Sequence, residues 1–196
     1  MAAPFVVASY RSLDPRNASR QRRLLIAAST GFLFALTALK FPSVAGSSSH
    51  PTGVALGAVL LGARAMPMLT VLVLLFQALL LAHCGLTTIG ANVFSLGIVG
   101  PAVVAGVWRL SAGSRLSPES RLIAATVISS LATYVTTAFQ LAIAFPDPAG
   151  GVLASSARFL SIFVPVQVQV AIIESLVAVA VWRAVKVETR SLEVAS

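Results

Sequence analysis

The sequence predicts an all-α fold, a polytopic transmembrane helical bundle of about six to seven membrane segments, the first of them truncated. Hydrophobic residues make up 57% of the 196 residues and charged residues only 10%, whereas a soluble domain usually carries about 25% charged residues. The apolar residues also fall into runs, and the basic residues cluster in or beside the gaps between them. A lipid bilayer is the solvent that suits such a chain.

Seven apolar runs define the predicted segments: 2–10, 24–39, 53–63, 66–82, 89–110, 122–145 and 159–185. A helix needs about 20 residues to cross a hydrocarbon core about 30 Å thick. The last three runs meet that length, the runs 24–39 and 66–82 nearly do, and 53–63 and 2–10 are short. We therefore predict one integral membrane domain over 1–196, with a partial first helix (1–10), a basic loop (11–23), a helical bundle (24–186) and a tail (187–196).

The basic residues predict the orientation of the bundle. If every run crosses the membrane, twelve of the fourteen lysines and arginines fall on the side of loop 11–23, and only Lys40 and Arg158 fall on the other. The alternative, one long helix over 53–82, splits the charges evenly and strands Arg64 in the membrane. The positive-inside rule favours two crossings. Loops 11–23 and 109–121 and the C-terminus are then cytoplasmic, and loops 40–52, 83–88 and 146–158 are external.

The run 53–63 is predicted to be a short helix packed inside the bundle. Gly53 and Gly57 form a small-xxx-small pair, which Gly62 extends, and such pairs allow helix backbones to approach closely in lipid. Thr52 precedes this helix and is a plausible N-cap.

A serine-rich external segment carries the first candidate ligand. His50 follows Ser47, Ser48 and Ser49 and precedes Pro51, which biases His50 toward extended backbone. An imidazole on irregular backbone suits nickel, cobalt, zinc or copper. From local chemistry alone, a solvated loop histidine is the favoured interpretation.

The remaining polar candidates are His83, Asn92 and Glu174. His83 is predicted on the same side as His50, and Asn92 opens the next helix; both are interpreted as residues that order loops or support a metal ligand. Glu174 lies deep in an apolar run and therefore needs a polar partner, for which Gln140, Gln167 and Gln169 are candidates. A structural polar network is favoured over substrate binding.

Catalytic motifs are not evident. The sequence contains no Walker motif, so we expect this chain to bind no ATP. Cys84 is the single cysteine, which excludes an intramolecular disulfide and a thiolate cluster. An intramembrane hydrolase using Ser95 with His83 and a stand-alone metal permease stay as alternatives, although Ser95 lacks the glycines of a nucleophile elbow.

Three stretches resemble the CbiM/NikM family, the substrate-specific (S) components of energy-coupling-factor (ECF) transporters for cobalt and nickel. They are FPSVAGSSSHPTGVALGAVLLG (41–62), VLLFQALLLAHCGLTTIGANVFSLGIVGP (73–101) and YVTTAFQLAIAFP (134–146). The resemblance implies a transport subunit, not an enzyme, in the prokaryotic plasma membrane. It captures Co²⁺ or Ni²⁺ as the transported substrate on the outer face.

The resemblance also implies partners and a ligand. The partners are a membrane coupling subunit (CbiQ-like), an ATPase (CbiO-like) and a small accessory membrane protein (CbiN-like), in systems that serve cobalamin biosynthesis. The histidine of the serine-rich motif is a metal ligand in this family and matches His50. His83 matches a family histidine near the site, which implies a second-shell or loop-ordering role.

The N-terminus departs from the family pattern. Family members begin Met-His and chelate the metal with that segment, whereas this sequence begins Met1-Ala2-Ala3-Pro4. Because the run 2–10 looks like the back half of the family's first helix, we expect about 15 to 20 further residues upstream. Without them, we expect the chain to bind metal weakly.

Overall fold

The computed structural model describes residues 2–14, 16–42, 47–82 and 85–194, with 187–194 described by backbone alone. Helices dominate, as the sequence predicts. They are α1 Ala3–Leu13, α2 Arg20–Ala38, α3 Val54–Leu61, α4 Met66–Leu80, α5 Ile89–Asn92, α6 Gly100–Leu110, α7 Pro118–Ala144 and α8 Gly151–Val194. The 3-10 turns Ala63–Ala65 and Leu86–Thr88 precede α4 and α5, and the π-helix Val93–Val99 joins α5 to α6.

Four helical stretches in the described parts of the chain are long and apolar enough to cross a membrane. They are Ala63–Leu80, Leu86–Leu110, Pro118–Ala144 and Gly151–Lys186. The helix α2 has 19 residues but begins with three arginines, while α1 and α3 have 11 and 8. The fold is therefore that of a multi-pass helical membrane protein.

The chain reverses direction between α3 and α4. The helix α3 starts beside His50 and ends at Leu61, where it shares a cavity with Arg109 at the end of α6. The helix α4 then returns, and Leu74 in its middle lines the cavity that also contains His50. Arg64 is exposed at the turn, so no arginine is stranded inside the bundle at this point, and two passes replace one long helix.

The turn into α3 depends on Gly53, which has a φ of 68°. Gly53, and not Thr52 as predicted, is the N-cap, because the Thr52 hydroxyl donates to Glu174 instead. A Cβ atom at Gly53 would also lie 3.1 Å from the Cα of Leu33 on α2. The close approach predicted for this glycine is present.

Replacing Gly53 by alanine should therefore destabilise the fold. The left-handed backbone alone costs roughly 1–2 kcal/mol for a residue with a Cβ atom, and the contact with Leu33 adds to this. The measurement is unfolding of the purified protein in detergent micelles. Gly31→Ala is the control, since a Cβ atom there meets nothing within 4 Å; equal stability of the two variants would contradict the prediction.

Several predicted boundaries move in the structure. The loop 11–23 is shorter, because α1 extends to Leu13 and the Ser19 hydroxyl caps α2 by accepting from the Arg22 N–H. Residues 187–194 of the predicted tail continue α8. The external loop 146–158 is shorter too, since α8 begins at Gly151.

The carboxylate of Asp147 organises this short external loop. It accepts hydrogen bonds from the Gly150 and Ala149 N–H groups at 2.8 and 2.9 Å. These bonds, with that of Gly150 the stronger influence, lower the pKa of Asp147. A tight turn therefore replaces most of the predicted loop.

The loop 40–52, predicted to be external, contains a feature that helical patterning does not predict. Two short strands, β1 Phe41–Pro42 and β2 Ser48–Ser49, pair antiparallel, with Phe41 opposite Ser49. This hairpin leads directly into His50 and fixes the start of the candidate site.

Candidate metal-binding site

His50 lies on irregular backbone between β2 and α3, half-buried at one end of the bundle. Its N–H donates to the hydroxyl of Tyr134 at 2.8 Å, and that hydroxyl donates to the His50 carbonyl at 3.3 Å. The two rings also meet edge to face, with centroids 5.7 Å apart. Tyr134, on α7, therefore fixes both the main chain and the ring environment of His50.

Glu174 holds the residues that follow His50. Its carboxylate is 1% exposed and accepts the Thr52 N–H at 2.8 Å, the Thr52 hydroxyl at 2.7 Å and the Gly53 N–H at 2.8 Å. The Ser130 hydroxyl on α7 adds a fourth bond at 3.3 Å. A buried carboxylate is costly unless it is hydrogen-bonded. The hydrogen bonds of this carboxylate therefore fix the backbone at the start of α3.

Gln167 joins the two groups of contacts. Its side-chain amide is fully buried and donates to the Ser130 hydroxyl at 2.7 Å and to the His50 carbonyl at 3.4 Å. Gln167 and Glu174 are seven residues apart on α8 and therefore lie on one helix face. The backbone on both sides of His50 is thus tied to α7 and α8, which presents the imidazole in a fixed place.

The imidazole opens into a cavity of about 140 Å³, here called the His50 cavity. Its lining consists of Ser48, His50, Leu74, Asn92, Ser95, Leu96, Thr133, Tyr134, Thr137 and Phe163. Nδ1 of His50 lies 3.3 Å from the Pro51 carbonyl oxygen; when Nδ1 carries the proton, Nε2 keeps its lone pair for a metal ion. The atoms of this cavity that could bind a metal ion are thus an imidazole nitrogen of His50 and uncharged oxygen atoms.

The structure brings some of the predicted site residues together. Asn92 and Ser48 share the cavity with His50. Ser49 pairs with Phe41 in the hairpin and is buried. Ser47 directly precedes β2. His83 lies outside the described residues. No cluster of three or more histidine, cysteine, aspartate or glutamate side chains occurs among the residues that the structure describes.

Gln140 does not lie in the network with Glu174. Its amide donates to the Ala91 carbonyl at 3.2 Å, on the side of α5. The physical reason is helix geometry: Gln140 follows Ser130 by ten residues of α7, which places it about 15 Å farther along the axis. Of the candidates, Gln167 joins the network through the Ser130 hydroxyl. The direct partners of Glu174 are Thr52, Gly53 and Ser130.

Ser95 offers little support for an intramembrane hydrolase. Its hydroxyl donates within its own helix to the carbonyls of Ala91 and Asn92, both at 3.3 Å. This is the usual arrangement of a serine inside a helix, and His83, the base that the hydrolase alternative invokes, lies outside the described residues.

Sequence reasoning missed Tyr134 and Ser130. Both belong to α7 at a spacing of four residues, which places them on one face, but their small polar groups stand in an apolar run without any motif. The run of buried polar residues at 126, 129, 130, 133 and 134 is a periodic signal that indicates an inward face.

We expect Tyr134→Phe to weaken metal binding about tenfold, the lower end of the range for losing a group that supports a metal ligand. The phenol ring stays and only the hydroxyl that holds the His50 backbone is removed. Tyr10→Phe is the matched control, because Tyr10 is the other of two tyrosines and is exposed on α1. Titration of both purified variants with cobalt measures the effect, and equal affinities would contradict the assigned role.

Fold and site together define a class: a multi-pass helical membrane protein with a histidine-containing cavity at one end of the bundle. Comparison with known proteins identifies the family within this class. The family model of the cobalt uptake substrate-specific transmembrane region, CbiM, matches residues 1–192, and the chain belongs to this family.

Individual relatives support the same family assignment. The chain is 49% identical over 187 residues to the cobalt transport protein CbiM of Chlorobium limicola, covering 95% of this chain and 74% of that protein. It is 48% identical to cobalt transport protein CbiM 1 of Pelobacter propionicus, covering 93% and 81%. A crystal structure of a truncated transition metal transporter has the same fold, with a TM-score of 0.79 at 20% identity over 94% of this chain and 89% of that one.

Proposed function

We propose that this chain is the substrate-capturing membrane subunit of an ATP-driven, ECF-type uptake transporter for cobalt or nickel. It binds the divalent ion on the outer face of the plasma membrane through His50. The relatives named as cobalt transport proteins support cobalt as a substrate, and an imidazole suits both metals.

One observation carries this proposal: a buried polar network fixes the backbone on both sides of a half-buried histidine that lines a cavity. Glu174, Gln167 and Tyr134 all form hydrogen bonds with the segment 50–53, and Ser130 links Glu174 to Gln167. Fixing a ligand in advance lowers the entropic cost of binding. A loop histidine without a role would not require a carboxylate buried in the bundle.

The remaining ligands are expected from elsewhere. The resemblance implies that a Met-His segment at the N-terminus supplies further nitrogen ligands. Asn92 faces the same cavity and is proposed to support the bound ion or its water, and His83 is proposed to order the adjacent loop.

Energy is proposed to come from other chains. The resemblance implies a CbiQ-like coupling subunit, a CbiO-like ATPase and a CbiN-like accessory protein. The orientation predicted from the basic residues would put loops 11–23 and 109–121 and the C-terminus in the cytoplasm, where an ATPase acts. Those loops are the proposed contact region.

Uptake in the presence and absence of the ATPase tests the proposal. Cells that lack their own cobalt uptake would express this chain with the coupling subunit and either an active ATPase or one with a substituted Walker lysine. We expect accumulation of radioactive cobalt only with the active ATPase, and competition by excess nickel. Equal accumulation of cobalt with the active and the inactive ATPase would instead establish a stand-alone permease. No accumulation in any combination would refute metal uptake.

A further inference from the structure

A second cavity lies at the end of the bundle opposite His50, between α1, α2, α3 and α6. Its volume is about 640 Å³. Three arginines line it, Arg22, Arg64 and Arg109, together with Trp108. We call it the arginine cavity. It is separate from the proposed metal site, because α3 runs from His50 at one end to this cavity at the other.

The positive charge of the arginine cavity is not compensated within the described chain. None of its lining residues is acidic, and no ion pair to its three arginines is present among the described residues. Arg22 donates one bond to the Ser12 carbonyl at 3.0 Å, which anchors the side chain without neutralising it. All three arginines are exposed. Such a concentration of charge attracts an anion.

The inner wall of the same cavity is apolar. Ala58 on α3 and Val104 on α6 are buried and line it, and both helices run from this end toward the His50 cavity. The site is therefore cationic at its rim and apolar in its depth. Trp108 also lines the cavity, and indole rings are enriched at membrane interfaces.

This combination matches one kind of ligand. Guanidinium groups bind phosphate oxygens in bidentate geometry, and an apolar wall beside them suits the first methylene groups of an acyl chain. Free phosphate would use only the rim. We propose that the arginine cavity binds the phosphate headgroup of an anionic phospholipid, with the upper part of an acyl chain against its apolar wall. Basic cavities between transmembrane helices are known to hold such headgroups.

Quenching of Trp108 tests this proposal. The chain has two tryptophans, so a Trp182→Phe background leaves Trp108 as the single indole. The purified protein in micelles would be titrated with brominated phosphatidylglycerol or brominated phosphatidylcholine. We expect the anionic lipid to quench at a roughly 100-fold lower mole fraction, since each of the three arginines contributes about fivefold.

Substitutions separate the cavity from general charge. The double variant Arg64→Gln/Arg109→Gln should reduce the preference for the anionic lipid by about 25-fold, because each of the two arginines contributes about fivefold. Arg115→Gln is the matched control, because Arg115 is an exposed arginine beyond α6 that does not line the cavity. Arg109→Gln alone provides a milder variant, and circular dichroism checks that each variant is folded.

Three results would overturn the proposal. The first is equal quenching by both lipids, which would indicate ordinary contact with bulk lipid. The second is an effect of Arg115→Gln as large as that of the double variant. The third is displacement of the lipid by inorganic phosphate at the same concentration as by soluble glycerophosphoglycerol, which would make free phosphate the ligand. Cobalt binding at His50 is measured in parallel and should be unchanged, so failure here leaves the proposed metal site untouched.

Discussion

Replacing His50 by alanine should reduce cobalt and nickel binding by more than about 100-fold, beyond the roughly 10–100-fold cost of losing a supporting residue. His50 is the one histidine among the described residues and lines the His50 cavity. The substitution should leave the loop in place, because the hydrogen bonds from Tyr134 and Gln167 reach only the main chain of residue 50.

The measurement is a calorimetric titration of the purified protein with each metal. It would be run on this sequence and on a version extended upstream to a Met-His start, which we expect to bind more tightly. Ser161→Ala is the control, since Ser161 is exposed on α8 and does not line the His50 cavity. Undiminished binding by His50→Ala in both versions would remove His50 from the site.

Removing the carboxylate of Glu174 should also weaken metal binding strongly, because it destabilises the segment that holds His50. In Glu174→Ala the N–H groups of Thr52 and Gly53 and the Thr52 hydroxyl lose their acceptor. A buried donor without a partner costs about 1–3 kcal/mol, so we expect the free energy of unfolding to fall by about 3 kcal/mol or more. Metal affinity should fall about 10–100-fold as the segment before α3 loses its fixed position.

Glu174→Gln separates the loss of folding from the loss of positioning. Glutamine fills the same space and keeps one acceptor oxygen, but its NH₂ group faces backbone donors. We expect this variant to fold, to unfold at a lower temperature, and to bind cobalt more weakly. Glu119→Gln is the control: it also removes one acid, but from the first turn of α7 at the opposite end of the bundle. Wild-type affinity in Glu174→Gln would show that the network does not position His50.

The sequence was sufficient for the membrane class, whereas the side of the membrane on which His50 lies stays a prediction. Run length and the placement of arginines are properties of local sequence, and bilayer thickness converts them directly into spans. The reversal at Arg64 followed from the same argument. The boundaries were less accurate, because hydropathy alone does not detect the Ser19 cap of α2 or the tight turn at Asp147 that precedes α8.

The partner of Glu174 illustrates what the sequence left open. The cost of a buried acid required a polar partner, and three glutamines were candidates. The carboxylate instead binds the backbone of Thr52, 122 residues away. Backbone N–H groups carry no signature in the sequence, so no motif points to them.

By itself, therefore, the sequence determined a helical membrane protein and, by resemblance, its family. Hydrophobicity, charge and motifs are properties of the sequence itself and can be identified without knowledge of tertiary contacts. Only the tertiary structure decided that α7 and α8 hold His50 through Tyr134, Gln167 and Glu174, and that three arginines from separate segments meet in one cavity. Those arrangements depend on how helices pack, and packing joins residues that are distant in sequence.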